Sequence, residues 1–212
     1  MNTQKKYKYP KSYHFPWSPS LTNDDRMIES VDHFVGKEVV VTVKMDGENT
    51  NIYHDVIHSR SLETDYHPSR TWVNRLQGEI GYQMKPGERI CGENVAAEHS
   101  IKYKGLESFF YVFSYWIDDV CQSWEDTVVR CAQLGLVHVP VLYKGVWDED
   151  LIKGLFNEVY EGNEMEGYVC RLAASYKFKD FHKSLAKYVR SGHVQTDEHW
   201  KKKPVVWNGW KC

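Results

Sequence analysis

The sequence predicts a mixed α+β fold, on three observations. A β-branched run, Val39-Val40-Val41-Thr42-Val43, and an aromatic one, Phe109-Phe110-Tyr111-Val112-Phe113-Ser114-Tyr115-Trp116, have the composition of buried strands. Apolar residues recur at helical spacing within 72–80, 124–132 and 151–159. Turn signals such as Asp46-Gly47 and Lys85-Pro86-Gly87 separate these runs, so strands and helices interleave along the chain.

In chain order, residues 7–20 alternate aromatics with Pro10, Pro16 and Pro19 and read as an extended, packed lead-in. Thr22-Asn23-Asp24-Asp25 offers capping oxygens ahead of Met27, Ile28 and Val31, which predicts one short helix before the strand at 39–43. Past Asp46-Gly47, residues 50–57 read as the return strand, followed by Ser59-Arg60-Ser61 and a polar loop to about Pro68. Trp72, Val73, Leu76 and Ile80 share a helix face, and 89–94 is a strand that sets Glu93 just beyond a glycine. Ser123 with Asp126 forms a capping box for a helix lined by Trp124, Val128, Cys131 and Ala132 and closed by Gly135. A strand over 136–143 follows. Asp148-Glu149-Asp150 opens a helix with Leu151, Ile152, Leu155, Phe156 and Val159 as its stripe, ended at Glu161-Gly162-Asn163. Residues 166–171 and 185–190 are two more strands, and Lys177, Lys179, His182 and Lys183 between them read as a solvated loop.

Composition bounds the function. The 212 residues, 42% hydrophobic and 14% aromatic, suffice for a substantial core as a single domain. A net charge of −2 gives no global basic field, so a polyanion would need a local cleft. Five cysteines without C-x-x-C spacing fit reduced thiols rather than a disulfide framework or zinc ribbon. No apolar run approaches the ~20 residues of a membrane span, and residues 1–11 lack an apolar targeting core, so the expectation is a cytoplasmic protein (host cytoplasm if viral) with no membrane partner. The tail mixes Lys201-Lys202-Lys203 with Trp200, Trp207 and Trp210, which would suit either stacking on single-stranded nucleic acid or docking onto the core. His193, Asp197 and His199 have no spacing that matches a zinc site.

The chemistry turns on Lys44, delivered by the valine-rich strand to the Asp-Gly turn. A lysine attacks phosphorus only as the neutral amine, which at a pKa of ~10.4 is about one molecule in 10³ to 10⁴ at neutral pH. A second cation nearby, such as Lys187 or a Mg²⁺ held through Glu166, would lower that pKa and neutralise phosphates. The order of the motifs is similar to that of the covalent nucleotidyltransferase superfamily of ATP-dependent ligases and capping enzymes, and most closely resembles its RNA ligase 2-like branch. Lys44-Met45-Asp46-Gly47-Glu48-Asn49 resembles the K-x-D-G nucleophile motif, Cys91-Gly92-Glu93 the glycine-glutamate motif, and Tyr111-Val112-Phe113 the strand with the adenine-stacking aromatic. Glu166-Gly167-Tyr168-Val169 matches the E-G-hydrophobic motif, with Lys187 where the family has a lysine on the α-phosphate. The resemblance implies a nucleotidyltransferase domain of the ATP-grasp-like DNA/RNA ligase fold, with antiparallel sheets flanked by helices. It implies ATP and Mg²⁺ (or Mn²⁺) as cofactors and three steps: adenylation of Lys44, transfer of AMP to a 5′-phosphate, and sealing by a 3′-hydroxyl.

By the same resemblance Lys44, Glu166 and Lys187 are the catalytic residues. Glu93 binds ribose, Phe113 stacks on adenine, and Asn49, Arg60 and Arg190 contact nucleic acid. Glu166 holds the metal through water, with Asp46 a second candidate. Two departures stand out: Val189 and Arg190 replace the second lysine of a K-x-K motif, and about 22 residues follow Arg190, short of an OB-fold or helical domain. Lys177-Phe178-Lys179 spells K-x-K but comes only 11 positions after Glu166. The expectation is a monomeric catalytic core acting on RNA ends or a nicked duplex, with a partner protein as a source of end specificity. The alternatives are a minimal DNA ligase, a GTP-using capping-type transferase and a non-catalytic nucleic-acid-binding module.

Overall fold

The computed structural model describes residues 5–19, 25–62, 64–192 and 204–211, and in them two sheets face one another across a cleft. In chain order the strands begin with β1 (Tyr13–His14), β2 (Glu38–Val43), β3 (Glu48–Ile52) and β4 (Ile57–Ser59), followed by α1 (Thr71–Ile80). Next come β5 (Glu88–Asn94), β6 (Phe110–Ile117), β7 (Val120–Cys121), α2 (Trp124–Leu134), β8 (Val137–His138) and β9 (Val141–Val146). The last third holds α3 (Glu149–Lys153), β10 (Val159–Tyr160), β11 (Asn163–Glu164), β12 (Gly167–Leu172), β13 (Tyr176–Lys177), α4 (Phe181–Ser184) and β14 (Leu185–Val189). The first sheet runs β1-β14-β12-β2-β9 and the second β13-β7-β6-β5-β3-β4, with β8 added beside β6. Pairing is antiparallel except β1 with β14 and β8 with β6. A six-residue hairpin, β10–β11, stands apart and turns through Glu161 and Gly162, both at positive φ.

β2 is buried at five of its six positions because both faces are covered. Val39, Val41 and Val43 join Tyr168, Cys170 and Ala186 in the main core, into which Ile152 of α3 also packs. The helices α1 and α2 cover the outer face of the second sheet, setting Val73, Ile80, Cys131 and Leu134 against Ile90, Phe110 and Val112. Helices therefore flank antiparallel sheets, as the α+β reading requires.

Several local expectations change. The chain does not make a hairpin at Asp46-Gly47: β2 pairs with β12 and β9, while β3 pairs with β4 and β5 in the other sheet. The turn is a crossover, and it docks so tightly that a Cβ on Gly47 would overlap the Asn94 carbonyl. The return strand is itself folded at 53–56 into β3 and β4, closed by the Tyr53 N–H on the Val56 carbonyl. The short helix over Met27, Ile28 and Val31 is absent; Met27 and Ile28 lie beside β1, the Ile28 N–H donating to the His14 carbonyl, and Val31 opens a series of turns in which its carbonyl accepts the Phe34 N–H. Thr22, Asn23 and Asp24 lie outside the described residues.

Pro140 splits the 136–143 strand, because it has no N–H for a ladder, and sends β8 to the second sheet and β9 to the first. The helix after Asp148 is five residues long and buries only Ile152, so Val159 belongs to β10. The capping box at Ser123 forms as expected, but α2 buries Trp124, Thr127, Cys131 and Leu134, with Ala132 exposed. The supposed loop at 177–183 contains α4, anchored by buried Phe181, with Lys177, Lys179 and Lys183 exposed. In the tail, Trp207 pairs with Ala97 and Trp210 with Leu106, and Trp210 rests against Trp72 and Phe109, so this part docks. Trp200, Lys201, Lys202, Lys203, His193, Asp197 and His199 lie outside the described residues. Cys91, Cys121, Cys131 and Cys170 are buried free thiols.

Candidate functional site

Strand register explains which side chains meet in the cleft. Thr42, Val169 and Lys187 stand opposite one another across β2, β12 and β14, and side chains two residues apart share a face. Lys44, Arg171 and Leu185 therefore look the same way, and all six line one cleft of about 430 Å³. Along these strands Lys44 and Lys187 mark one end, and Arg171 and Leu185 the other. The second sheet supplies the facing wall: Glu48 and Asn49 from β3, Glu93 from β5, and Phe113 and Ser114 from β6. β5 and β6 shift register between Cys91 and Gly92, which leaves Phe113 as the extra residue of a bulge, the device by which a sheet re-aims one side chain. Gly92 permits it, since a Cβ there would overlap the Phe110 ring and the Tyr111 carbonyl. Tyr9 packs edge-on against Phe113 at 5.3 Å, and Tyr176 closes the same end, which is aromatic and apolar.

The other end is ionic. Lys44 Nζ donates to Glu166 Oε2 at 2.6 Å, with Glu166 buried and the lysine 24% exposed to the cleft. The Lys44 N–H donates to the Gly167 carbonyl, which fixes the lysine next to the β12 strand that follows Glu166. Burial pulls the Lys44 ammonium down, but Glu166, Glu93 and Asp46 outweigh it, and the pKa stands above the ordinary lysine value. Lys187 is the opposite case: burial first, and Lys44 second, bring it down to about 8 against the pull of Asp25 and Glu166. Glu93 is raised to about 8, chiefly by burial and then by Glu166 and Asp46, against the pull of Lys44 and the Gly47 N–H. The lowered pKa expected of Lys44 is thus found at Lys187 instead, because a carboxylate touches Lys44 directly.

Sequence reasoning brought together Lys44, Glu93, Phe113, Glu166 and Lys187, and the fold collects all five around one cleft, Glu166 through its contact with Lys44. Asn49 and Arg60 line the same rim, tied by the Arg60 N–H on the Asn49 carbonyl. Two assignments change. Asp46 does not line the cleft; its Oδ2 accepts the N–H groups of Ser100 and Ile101, both at 2.7 Å, so its carboxylate anchors the turn rather than serving a metal. Arg190 follows β14 on the face opposite Lys187 and pairs with Glu164 at 2.5 Å, away from the cleft; the position two after Lys187 is the buried Val189. Lys177 and Lys179 are exposed and line no part of the cleft.

The fold also adds residues that the sequence did not single out. Asp25, read as a helix cap, lies 3.2 Å from Lys11, 3.5 Å from His14 and 3.7 Å from Lys187. Burial, and then Lys187, hold the His14 pKa down to about 4, so His14 is neutral at pH 7. Nothing local marks this cluster, because it depends on β1 pairing with a strand some 170 residues later. Arg171, 4% exposed, donates to the Leu172, Phe113 and Gln122 carbonyls and so braces the bulge that aims Phe113. Its alternation with Val169 was the available signal. Glu48 and Arg70 form a buried two-pronged pair at 2.7 and 2.5 Å that ties the crossover to the start of α1.

Residues 37–189 match one family model, described as RNA ligase. No match was found among curated proteins. Among solved structures, an apo mutant of Naegleria gruberi RNA ligase superposes with a TM-score of 0.59 at 18% identity, covering 90% of this chain and 63% of that one. A mutant of the same ligase with ATP and Mn gives 0.56 at 16% identity, over 78% and 52%. A putative ATP-dependent DNA ligase from Aquifex aeolicus gives 0.54 at 22% identity, over 76% and 46%. These likenesses establish the fold, and the chain spans between 46% and 63% of these three structures.

Proposed function

Because the chain belongs to the RNA ligase family, we propose that it captures the adenylyl group of ATP on Lys44 and uses it to join a 5′-phosphate to a 3′-hydroxyl in RNA. The observation that carries this reading is the ionic end of the cleft: one lysine on a buried glutamate, a second lysine two strands away, and an aromatic slot beyond them. The slot suits a base against Phe113 and Tyr9, with Glu93 at the ribose, while Lys44 and Lys187 suit phosphates. In the first step Lys44 Nζ bonds to the α-phosphorus as the bond to pyrophosphate breaks, the electron pair leaving with pyrophosphate. Nζ must first lose a proton to solvent, and the contact with Glu166 Oε2 at 2.6 Å holds that proton until the pair is weakened. Lys187 offsets charge on the transferring phosphoryl oxygens.

Among the described residues no three His, Cys, Asp or Glu side chains converge as a metal cage. The donor set fits Mg²⁺ held as that ion prefers, largely hydrated, through one carboxylate and the substrate phosphates, with Glu166 as that carboxylate. Bound there it would supply positive charge that competes with Lys44 for Glu166 and favours the neutral amine.

The test is incubation with Mg²⁺ and α-labelled ATP: label is expected on the wild-type protein and absent from Lys44→Ala, and label on Lys44→Ala would remove the nucleophile assignment. The likeness to a putative DNA ligase favours one second reading, a DNA ligase; sealing of nicked DNA in preference to nicked RNA would select it. GTP labelling in place of ATP would select a capping-type transferase, and no label with either nucleotide a non-catalytic nucleic-acid-binding module. No helix among the described residues is long and apolar enough to cross a membrane, and the cytoplasm is the compartment this reading expects.

A further inference from the structure

We propose that Asn208 is a positioning residue for Lys44, acting through the loop between β5 and β6. The inference rests on the adenylation reading above, and Asn208 lies outside the residues that match the family. The loop, residues 95–109, forms no helix or extended strand, yet its middle grips the nucleophile's turn. Ser100 and Ile101 donate to Asp46 Oδ2 at 2.7 Å, and the Asp46 N–H donates to the Tyr103 hydroxyl at 2.8 Å. Isolated bridges to the C-terminal strap, Ala97 with Trp207 and Leu106 with Trp210, satisfy part of this loop, and the remaining polar groups need partners from side chains. Asn208 supplies such partners from the same strap. Its Oδ1 accepts the Tyr103 N–H at 2.8 Å and its Nδ2 donates to the Val95 carbonyl at 2.8 Å, while its own N–H donates to the Ala96 carbonyl. The side chain is 5% exposed, so both amide ends are committed where water does not compete. On the far side Asn163 repeats the pattern on Lys104, its Oδ1 accepting at 2.7 Å and its Nδ2 donating at 3.2 Å. Tyr103 and its neighbours are thus held from two directions, and the covalent path from the gripped Asp46 to Lys44 is two residues.

This clamp fixes where Nζ starts its attack and leaves the aromatic slot untouched. A displacement of about 1 Å from the attack geometry costs on the order of 10²-fold in rate. In Asn208→Ala the rate of Lys44 adenylation at saturating ATP should fall about tenfold or more, while the half-saturating ATP concentration stays within about threefold. Asn208→Asp, which sets a carboxylate oxygen against the Val95 carbonyl in a buried site, should fall at least as far. Trp207→Ala, on the same strap and half-exposed, should match wild type. Tyr103→Phe removes the hydroxyl that holds Asp46, and the double variant Asn208→Ala/Tyr103→Phe should be little worse than Asn208→Ala, because both act along one path. If Asn208→Ala does not fold, Tyr103→Phe carries the test by the same two readouts. Adenylation of folded Asn208→Ala within twofold of wild type, additive losses in the double variant, or a matching loss of ATP affinity would each overturn the proposal. Wild-type protein that takes no label overturns the site reading and this inference together; labelled wild type with unaffected variants overturns this inference alone.

Discussion

Lys44 and Lys187 occupy one sheet face two strands apart, both largely buried, yet their basicities move in opposite directions. Lys44 has Glu166 at 2.6 Å and stands above the ordinary lysine value; Lys187, whose nearest carboxylate among the described residues is Asp25 at 3.7 Å, drops to about 8. Burial acts on both, so the contact with a carboxylate decides the sign. The residue cast as nucleophile is thus the better protonated of the two in the nucleotide-free site. Activation then depends on weakening the pair with Glu166, and the phosphate-facing charge depends on keeping Lys187 protonated.

Each half of that contrast can be tested. The largest effect below loss of the nucleophile itself is expected for Glu166→Gln: adenylation should fall by about 10²–10³-fold, as when one preorganised charge is lost, and both Lys44 and Glu93 should titrate lower in the variant by NMR. An unshifted Lys44 would show that Glu166 does not govern it. Next, Lys187→Ala should slow adenylation by about 10²-fold. Lys187 loses its proton as pH rises through about 8, so wild-type adenylation should lose the contribution of that charge above this pH, whereas Lys187→Arg, charged throughout, should not show the decline. Identical profiles for wild type and Lys187→Arg would exclude Lys187 as the titrating group.

A smaller effect concerns stability. Glu93, raised to about 8, holds its proton in the folded chain between the ordinary carboxylate value and pH 8, while the unfolded chain has lost it. Its contribution therefore destabilises the fold increasingly as pH rises across that window. Glu93→Gln should melt higher than wild type at pH 8, with the gap shrinking toward pH 5, each kcal/mol recovered adding about 2–4 °C. A pH-independent gap would count against the raised value. Least affected should be Arg190→Ala, which removes an exposed pair with Glu164 and should leave adenylation within about twofold, with a stability change of at most ~1 kcal/mol. A large loss of adenylation would return Arg190 to the site.

Much of this was legible in the chain, for identifiable reasons. β2, β5, β6, β12 and β14 are carried by strong local composition, and α2 by its cap and terminal glycine, so each formed near where expected. The Asp46-Gly47 turn was legible as a turn but not as a crossover. Strand partners are chosen by which faces need covering, and the valines of β2 need cover on both faces. The helix expected around Met27 failed because pairing to β1 outweighed a weak helical spacing, and the helix after Asp148 was cut short by Gly154.

By itself, the sequence determined the order of the reactive residues and the parity of each strand. Val189 rather than Arg190 shares the face of Lys187, and that follows from counting by two. Only the tertiary structure decided what those residues feel. Lys44 gains Glu166, Lys187 gains Asp25, and Asp46 loses its place as a metal candidate to two backbone N–H groups, all through contacts between segments 54 to 162 residues apart. A pKa depends on distance and burial, and neither is a local property of the chain.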